Sequence, residues 1–155
     1  MTGLVHQFPA SARRVLAGVL LACLTFSIAA CGDGRKKCYP VSGTILVDGK
    51  PAADCMIRLN PSDPADNEGP NRVLPIAMTD ENGKFKLSTF ATDDGAPAGD
   101  YTVTFTWRGR SGLLKNQFDG PDRLNGKYAT IEASGIKVTI ENKPQELKPF
   151  ELKSK

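Results

Sequence analysis

Apolar and polar residues alternate with a period of two through most of the chain after Tyr39. In the clearest segment, Tyr101–Trp107, aromatic and branched apolar residues occupy the odd positions and threonines occupy the even ones. This pattern is typical of strands with one buried face. Six more segments alternate in this way, near Val41–Val47, Cys55–Leu59, Ile76–Thr79, Phe85–Leu87, Ile136–Ile140 and Lys148–Lys153. Seven short strands without a sustained helical period predict an all-β fold, a β-sandwich.

Particular residues between and within these strands predict local features. Asp48-Gly49 predicts a two-residue hairpin turn after the first strand. Gly43 suits a close approach of backbone inside that strand. Tyr101 is expected either to cap a corner with its hydroxyl group or to fill the edge of the core. Phe105 is predicted to face inward, and Thr104 outward.

The first 30 residues have the layout of a secretion signal. Arg13 and Arg14 precede an uncharged apolar run, Val15 to Ala30, of 16 residues. A helix that spans a bilayer needs about 20 apolar residues, so this run is short for an anchor. We therefore predict a signal peptide at residues 1–30.

The signal ends at Cys31, which follows Ile28, Ala29 and Ala30. One aliphatic residue, two small residues and a cysteine resemble the lipobox of bacterial lipoprotein precursors. The resemblance implies that the Cys31 thiol carries a diacylglyceryl group, with acyl chains such as palmitate, and that cleavage before it leaves a lipidated first residue. Several acyl chains matter, because each buried CH₂ contributes about 0.8 kcal/mol and one chain alone binds marginally. An uncleaved anchor helix and an ordinary secretory signal are the alternatives.

Residues 31–38 are predicted to form a flexible tether between the lipid and the domain. Arg35, Lys36 and Lys37 are positioned either to meet anionic headgroups or to form a merely solvated linker. Gly32, where some lipoproteins have Asp, favours export to the outer membrane by analogy with known sorting rules. We therefore expect the protein in the cell envelope, with its domain in the periplasm or at the cell surface.

Charge and histidine content exclude several classes of function. Without the signal, the chain has eighteen Lys and Arg residues and 17 Asp and Glu residues, which gives a net charge of +1 before the termini are counted. This near-neutral balance argues against a nucleic-acid partner. The only histidine, His6, lies in the signal. The mature chain therefore has no Ser-His-Asp or Cys-His catalysis and no histidine ligand for zinc.

Three stretches carry a family resemblance: "VSGTILVDGKPAADCMIRLNP", "TDENGKFKLST" and "GAPAGDYTVTFTW". They resemble the transthyretin-like, carboxypeptidase-regulatory-like domain of bacterial envelope lipoproteins. "GKYA" at Gly126–Ala129 and the closing "IKVTI...FELK" stand in the expected order, so the match covers about Tyr39 to Leu152. The resemblance implies a seven-stranded Greek-key sandwich at residues 39–155. Such domains are mostly accessory modules, so it implies little about activity.

The same fold includes the 5-hydroxyisourate hydrolases, which depend on histidines and on a Tyr-Arg-Gly-Ser ending. This chain ends "FELKSK" and has no histidine after His6, which removes that activity. Its acidic residues do not form a calcium-binding loop of the EF-hand type. We interpret the acids of three loops as solvated turn acids and predict no metal and no cofactor. These acids are Asp63, Asp66, Glu68, Asp93, Asp94, Asp119 and Asp122.

A candidate ligand surface lies in the long aperiodic stretch that follows Trp107. Residues 108–134 show no clear periodicity, and loops this long are usually functional or disordered. The candidate residues are Trp107, Arg108, Arg110, Arg123, Lys127 and Tyr128. Aromatic rings beside cations suit glycans or anionic polymers. However, Trp107 shares its parity with Val103 and Phe105, which favours core packing, and the loop also suits a simple crossing between sheets.

Cys38 and Cys55 are a candidate disulfide pair, because the envelope is oxidising and a bridge would close a loop of about 17 residues. Hairpin geometry argues against it. With a turn at Asp48-Gly49, Cys55 lies opposite Ser42, roughly 13 Å along the strand from Cys38. A bridge needs Cα atoms within about 7 Å. Cys55 as a small buried residue is the alternative.

The sequence thus predicts a monomeric, lipid-anchored, non-catalytic module with a structural or binding role in the cell envelope. One alternative is a receptor that binds a glycan or polypeptide through residues 107–128. A less favoured alternative is an enzyme that uses carboxylates alone. The expected partners of the protein are the membrane and an envelope protein or glycan.

Overall fold

The computed structural model describes residues 34–69, 72–109, 118 and 120–155. Residues Lys36–Lys155 form one compact unit. The predicted signal peptide, lipidated Cys31 and Arg110 lie outside the described residues. The strands are β1 (Cys38–Tyr39), β2 (Val41–Val47), β3 (Lys50–Pro51), β4 (Met56–Pro61), β5 (Ile76–Met78), β6 (Lys84–Lys86), β7 (Ala96–Pro97), β8 (Gly99–Thr106), β9 (Ile136–Ile140), β10 (Gln145–Glu146) and β11 (Phe150–Leu152).

One sheet has four strands in the order β5-β4-β8-β9, and all its neighbours are antiparallel. The second sheet is built around β2. Strands β10 and β11 pair with β2 in parallel, and β3 and β6 pair with it in the antiparallel sense. Strands β1 and β7 pair with each other, antiparallel, in a separate two-stranded ribbon. Main-chain bonds between Ile76 and Ser88, at 2.9 Å in both directions, join the two sheets along one edge.

Both sheets contribute to a single apolar core. The ring centres of Phe105 on β8 and Phe150 on β11 lie 5.1 Å apart, and Phe85 on β6 stacks on Phe150 at 6.2 Å. Alternate residues of β2 and β4 are buried in this core, as the period of two predicts. The fold is therefore all-β and sandwich-like. Its core includes Val41, Ile45, Ile57, Leu59, Leu87, Val103, Phe105, Ile140 and Leu152.

The turn prediction is confirmed, whereas Gly43 is approached closely by side chains rather than by backbone. Val47 pairs with Lys50 across Asp48-Gly49, and both turn residues have positive φ, 51° and 79°. This is the backbone that a two-residue hairpin requires, and Gly adopts it without strain. Gly43 faces the core, where an added Cβ would lie 2.6 Å from Cζ of Phe85. A larger residue at 43 would therefore displace the ring.

Strand β8 departs from the predicted alternation. Thr102 and Thr104 are only 9% and 7% exposed, although they point away from the core. Strand β8 is central, and long side chains on the neighbouring strands flank its outer face: Arg58 pairs with Thr104, and Lys137 with Thr102. Thr104 therefore lies on the outer face, as predicted, but neighbouring side chains cover it.

Residues assigned to the tether are in fact attached to the domain. Lys36 Nζ lies 2.6 Å from Oδ1 of Asp66, and Cys38 begins strand β1. Asp66 belongs to a 3-10 helix, Pro64–Asn67, that the sequence did not predict. Because Lys36 is paired with a carboxylate, Arg35, Lys36 and Lys37 are not all available to contact anionic headgroups. Residues 36–38 thus belong to the folded domain rather than to a flexible tether.

The long stretch after Trp107 contains one helix among its described residues, α1 (Ile131–Ser134). Thr130 caps its first turn by accepting the Ala133 N–H at 3.1 Å. The helix ends at Gly135, whose φ is 60°. One turn of helix is too short for hydrophobic periodicity to reveal, so the pattern did not predict it.

Candidate functional site

The sandwich has two distinct ends, which the strand directions define. Strand β2 starts beside the tether and runs to the Asp48-Gly49 turn, while β8 runs from the Pro97–Gly99 corner toward Trp107. Trp107 Nε1 donates to the carbonyl oxygen of Ala53 at 2.8 Å, which places Trp107 beside the Asp48-Gly49 side of β2. We call this the far end, formed by the Asp48-Gly49 turn, Trp107 and residues 122–128. The opposite end, which carries Lys36–Tyr39 and the 3-10 helix, is the tether end.

Trp107 is held in place by its own polar groups. Besides the Nε1 bond, its main-chain N–H donates to Oδ1 of Asp122 at 2.9 Å, and its carbonyl oxygen accepts the Arg123 N–H at 2.8 Å. Its indole is half-buried and packs against the core. The core-packing interpretation of its parity is therefore confirmed.

Arg123 covers the indole of Trp107. Its guanidinium carbon lies 5.0 Å from the ring centre, within the range of a cation–π contact. The side chain is otherwise exposed. Stacking of a sugar on this ring face would require Arg123 to move, whereas the guanidinium itself remains able to meet an anion.

Tyr128 and Lys127 form a second aromatic–cation pair at the far end. The Tyr128 ring meets Phe105 edge to face at 6.2 Å, and its hydroxyl oxygen accepts the Lys153 N–H at 3.2 Å. Lys127 Nζ lies 5.7 Å from the Tyr128 ring centre and donates to the carbonyl oxygen of Lys155 at 3.2 Å. Both predicted residues thus take part in holding the end of the chain.

Arg108 is exposed and points toward a different part of the surface. It borders a pocket of about 250 Å³ together with Phe118. Two methionines on neighbouring strands, Met56 and Met78, supply the apolar wall of this pocket. Sequence reasoning missed the methionines, because they lie on separate strands and each is an isolated residue in its segment. Only the β4–β5 register brings them side by side.

Acidic residues expected in turns accept hydrogen bonds from main-chain N–H groups. Asp122 accepts N–H groups of Trp107, Leu124 and Gly126, at 2.9, 3.1 and 2.9 Å. Asp63 caps the 3-10 helix through the Ala65 N–H at 3.0 Å. For these residues the turn-acid interpretation is confirmed. Within the described ranges, no three acidic, cysteine or histidine side chains are grouped closely enough to hold a metal ion.

Asp94 is a further turn acid, at the tether end. Burial alone would raise its pKa, but N–H groups of Thr89, Phe90 and Ala91 donate to the carboxylate at 2.7 to 3.0 Å. These bonds prevail and hold the pKa of Asp94 below its usual value. A carboxylate stabilised in this way is a poor general acid at neutral pH.

Cys38 and Cys55 are both free thiols in the structure, so the candidate disulfide is absent. Cys38 lies at the tether end opposite Pro97, and Cys55 precedes β4 at the far end. The length of β4 separates them, about 20 Å, whereas a bridge needs about 7 Å. Burial, with the charge of Asp122 as a smaller cause, raises the pKa of Cys55 to about 12.

A groove of about 530 Å³ lies beside β2 and β6, where residues 78–80, from the end of β5 in the other sheet, border them. Lys84, Lys86, Asp93 and Glu146 line it, so both signs of charge are present. Alternation in the sequence marks the two lysines as outward-facing. It does not reveal Glu146, which reaches the groove only because β10 pairs with Ser42 of β2.

Within the described residues, no helix is long and apolar enough to cross a membrane.

No family model matches this chain, and no curated protein matches it. Similar solved structures include the following two. One is a candidate carbohydrate-binding protein from Pseudomonas aeruginosa, with 15% identity and a TM-score of 0.39 over 78% of this chain and 92% of that chain. The other is a DUF3823 family protein from Parabacteroides merdae, with 10% identity and a TM-score of 0.35 over 76% of this chain and 46% of that chain. Similarity at this level does not indicate what this chain binds.

Proposed function

We propose that this protein is a lipid-anchored, non-catalytic module of the bacterial cell envelope. The anchor is Cys31, at the end of the Ile28-Ala29-Ala30-Cys31 sequence. The proposed domain is a Greek-key sandwich of the transthyretin-like kind, whose seven strands are the described strands of three or more residues. Two observations support the proposed transthyretin-like fold. They are the resemblance of "VSGTILVDGKPAADCMIRLNP" to such domains and the alternating strands.

One observation carries the non-catalytic role: side chains suited to catalysis already serve the fold. Asp122 and Asp94 each accept three main-chain N–H groups. Burial raises the pKa of Cys38 to about 11 and that of Cys55 to about 12. A nucleophilic cysteine needs a lowered pKa, so both thiols are poorly suited to attack.

Replacing the lipidated cysteine tests the anchor. We expect Cys31→Ser to abolish acylation and to leave an unprocessed, larger precursor. Cys23→Ser is the matched control, because Cys23 lies inside the apolar run, and this variant should be processed normally. Detergent-phase partitioning and intact mass report the outcome. A wild-type protein in the aqueous phase, with a mature mass that lacks acyl chains, contradicts the proposal.

A second candidate function is binding of an anionic glycan at the far end. Arg123 and Lys127 place exposed cations beside aromatic rings there. The nearby carboxylate of Asp122 is occupied by main-chain donors. Cations presented in this way suit carboxylate or sulfate groups.

Binding to a sulfated polysaccharide such as heparin, followed by calorimetry, tests this function. The double variant Arg123→Ala/Lys127→Ala should weaken binding about tenfold or more and reduce its salt dependence. Lys143→Ala is the control, since Lys143 is an exposed lysine beyond β9, next to Glu141. Equal weakening by the control variant would mean that binding depends on net charge alone.

A further inference from the structure

We infer that the anchor holds the tether end of the sandwich next to the lipid surface and displays the far end away from it. The membrane is thus the occupant of the tether end, and the far end is the surface that a partner can reach. The inference rests on the proposed lipidation of Cys31. Two features of the described residues and the length of the segment that links them to Cys31 support it.

The first feature is the point at which the chain joins the domain. Lys36 Nζ contacts both oxygens of Asp66, at 2.6 and 2.7 Å, although 30 positions separate the residues. Asp66 is largely buried, with 14% of its side chain exposed. Lys37 Nζ lies 5.2 Å from the ring centre of Tyr39. The chain is therefore attached to the domain from Lys36 onward.

The second feature ties this attachment to the core. Cys38 pairs with Pro97, and Tyr39 with Ala96, in the β1–β7 ribbon. The carbonyl oxygen of Pro97 accepts the hydroxyl group of Tyr101 at 2.8 Å. Tyr101 is itself 1% exposed. A hydrogen-bonded path thus runs from the tether to the buried Tyr101 near the start of strand β8.

The length of the linking segment also supports the inference. Five residue steps separate Cys31 from Lys36, and a fully extended chain of this length spans about 17 Å. Strand β2 covers about 20 Å from the tether end to the far end. The link to the lipid is therefore no longer than the domain. The folded domain cannot enter the bilayer, and its tether end is linked to the lipid by this short segment. The far end therefore lies farther from the bilayer, on average, than the tether end.

This placement gives the two ends different roles. The tether end, with Asp66 and the 3-10 helix, faces the headgroups and is obstructed for a large partner. The far end carries Trp107, Arg123 and Lys127, and it faces outward. A polymer beyond the membrane surface would meet these residues first.

Tryptophan quenching in vesicles tests the inference, because the chain has a single tryptophan, Trp107. The probe is the full lipidated protein in phosphatidylglycerol/phosphatidylethanolamine vesicles that contain brominated lipid. We expect Trp107 to show little or no quenching. A Trp107→Phe/Tyr39→Trp variant moves the fluorophore to the tether end and should be quenched several-fold more strongly.

A lengthened tether is the matched control. Ten Gly/Ser residues inserted between Gly34 and Arg35 add a mean reach of about 18 Å. The insertion should reduce quenching at position 39 and leave the anchor intact. Neutron reflectometry of the unmutated protein on a supported bilayer gives a second measurement, should the tryptophan variant fail to fold. It should show protein density that begins at the headgroups and extends at least about 20 Å above them, the length of strand β2.

The possible failures are distinguishable. A protein that does not associate with vesicles contradicts the lipid anchor, and with it the proposed function. An anchored protein whose Trp107 is quenched as strongly as Trp at position 39, or whose density forms a thin layer on the headgroups, lies flat and overturns the inference alone.

Discussion

The hydroxyl group of Tyr101 donates a hydrogen bond to the main-chain carbonyl oxygen of Pro97 at 2.8 Å, inside the core. Burial, with smaller contributions from nearby Asp66 and Cys38, raises the pKa of Tyr101 well above its usual value. The hydroxyl group therefore stays protonated, and remains a donor, above the pH at which an ordinary tyrosine ionises. The expectation that Tyr101 caps a corner is confirmed, and the residue also fills the core edge, as the alternative proposed.

Removal of this hydroxyl group tests its contribution. Tyr101→Phe leaves the buried carbonyl oxygen of Pro97 without its donor, so we expect a loss of about 1–3 kcal/mol in the free energy of unfolding. Tyr128→Phe is the control, because the Tyr128 hydroxyl group accepts a bond from Lys153 at an exposed site. It should cost less than half as much. Urea denaturation measures both, and equal losses would contradict a special role for the corner.

The core prediction compares neighbouring residues of β8. Phe105 is fully buried and contacts the rings of Phe150 and Tyr128. Phe105→Ala should destabilise the domain by about 3–5 kcal/mol. Thr104→Ala should cost about 0.5–1.5 kcal/mol, because Thr104 Oγ1 accepts the Asn60 Nδ2 donor at 3.1 Å. Thermal unfolding checks the ranking. A Thr104 variant as unstable as the Phe105 variant would mean that the assigned inner face is wrong.

The contact between Gly43 and Phe85 predicts a strong coupling. Gly43→Ala places a methyl group 2.6 Å from Phe85 Cζ and should cost about 1–3 kcal/mol through overpacking. In a Phe85→Leu background the ring edge is absent, so the same change should cost clearly less. A double-mutant cycle by urea denaturation measures the coupling energy. Additive costs would show that the strain arises elsewhere.

The buried thiol predicts a pH dependence. Burial, and secondarily Asp122, raises the pKa of Cys55 from an ordinary 9.0 to about 12. The folded state therefore holds this proton more tightly than the unfolded state. Its contribution to stability is complete below about pH 9 and is lost as the pH rises toward 12. Cys55→Ala should thus lose less stability than the wild type between pH 9 and pH 11 in urea titrations.

The same pKa values predict low reactivity with disulfide reagents. At pH 8, a thiol with a pKa of about 12 has about a thousandfold less thiolate than one with a pKa of 9.0. Cys55 should therefore react with Ellman's reagent only after unfolding. Cys38, with a pKa of about 11 and partial exposure, should react slowly in the folded protein. Rapid labelling of Cys55 in native protein would contradict its burial.

The period-two pattern alone determines that the chain is all-β and which segments form its longer strands, since a half-buried strand must alternate. It also determines the Asp48-Gly49 hairpin, because a two-residue turn of this kind demands positive φ, which Gly supplies readily. Local rules of this kind need no knowledge of distant partners. The lipid anchor and the excluded histidine chemistry likewise depend on residue identity, and the anchor remains a prediction.

Only the tertiary structure decides what depends on pairing between distant residues. Burial of Thr104 follows from the central position of β8, and the split between Cys38 and Cys55 follows from the length of β4. The Lys36–Asp66 contact joins two segments that no local pattern relates. Strand order and side-chain contacts depend on the free energy of packing the whole core, to which residues far apart in sequence contribute together. The alternation within one segment contains no information about those long-range contacts.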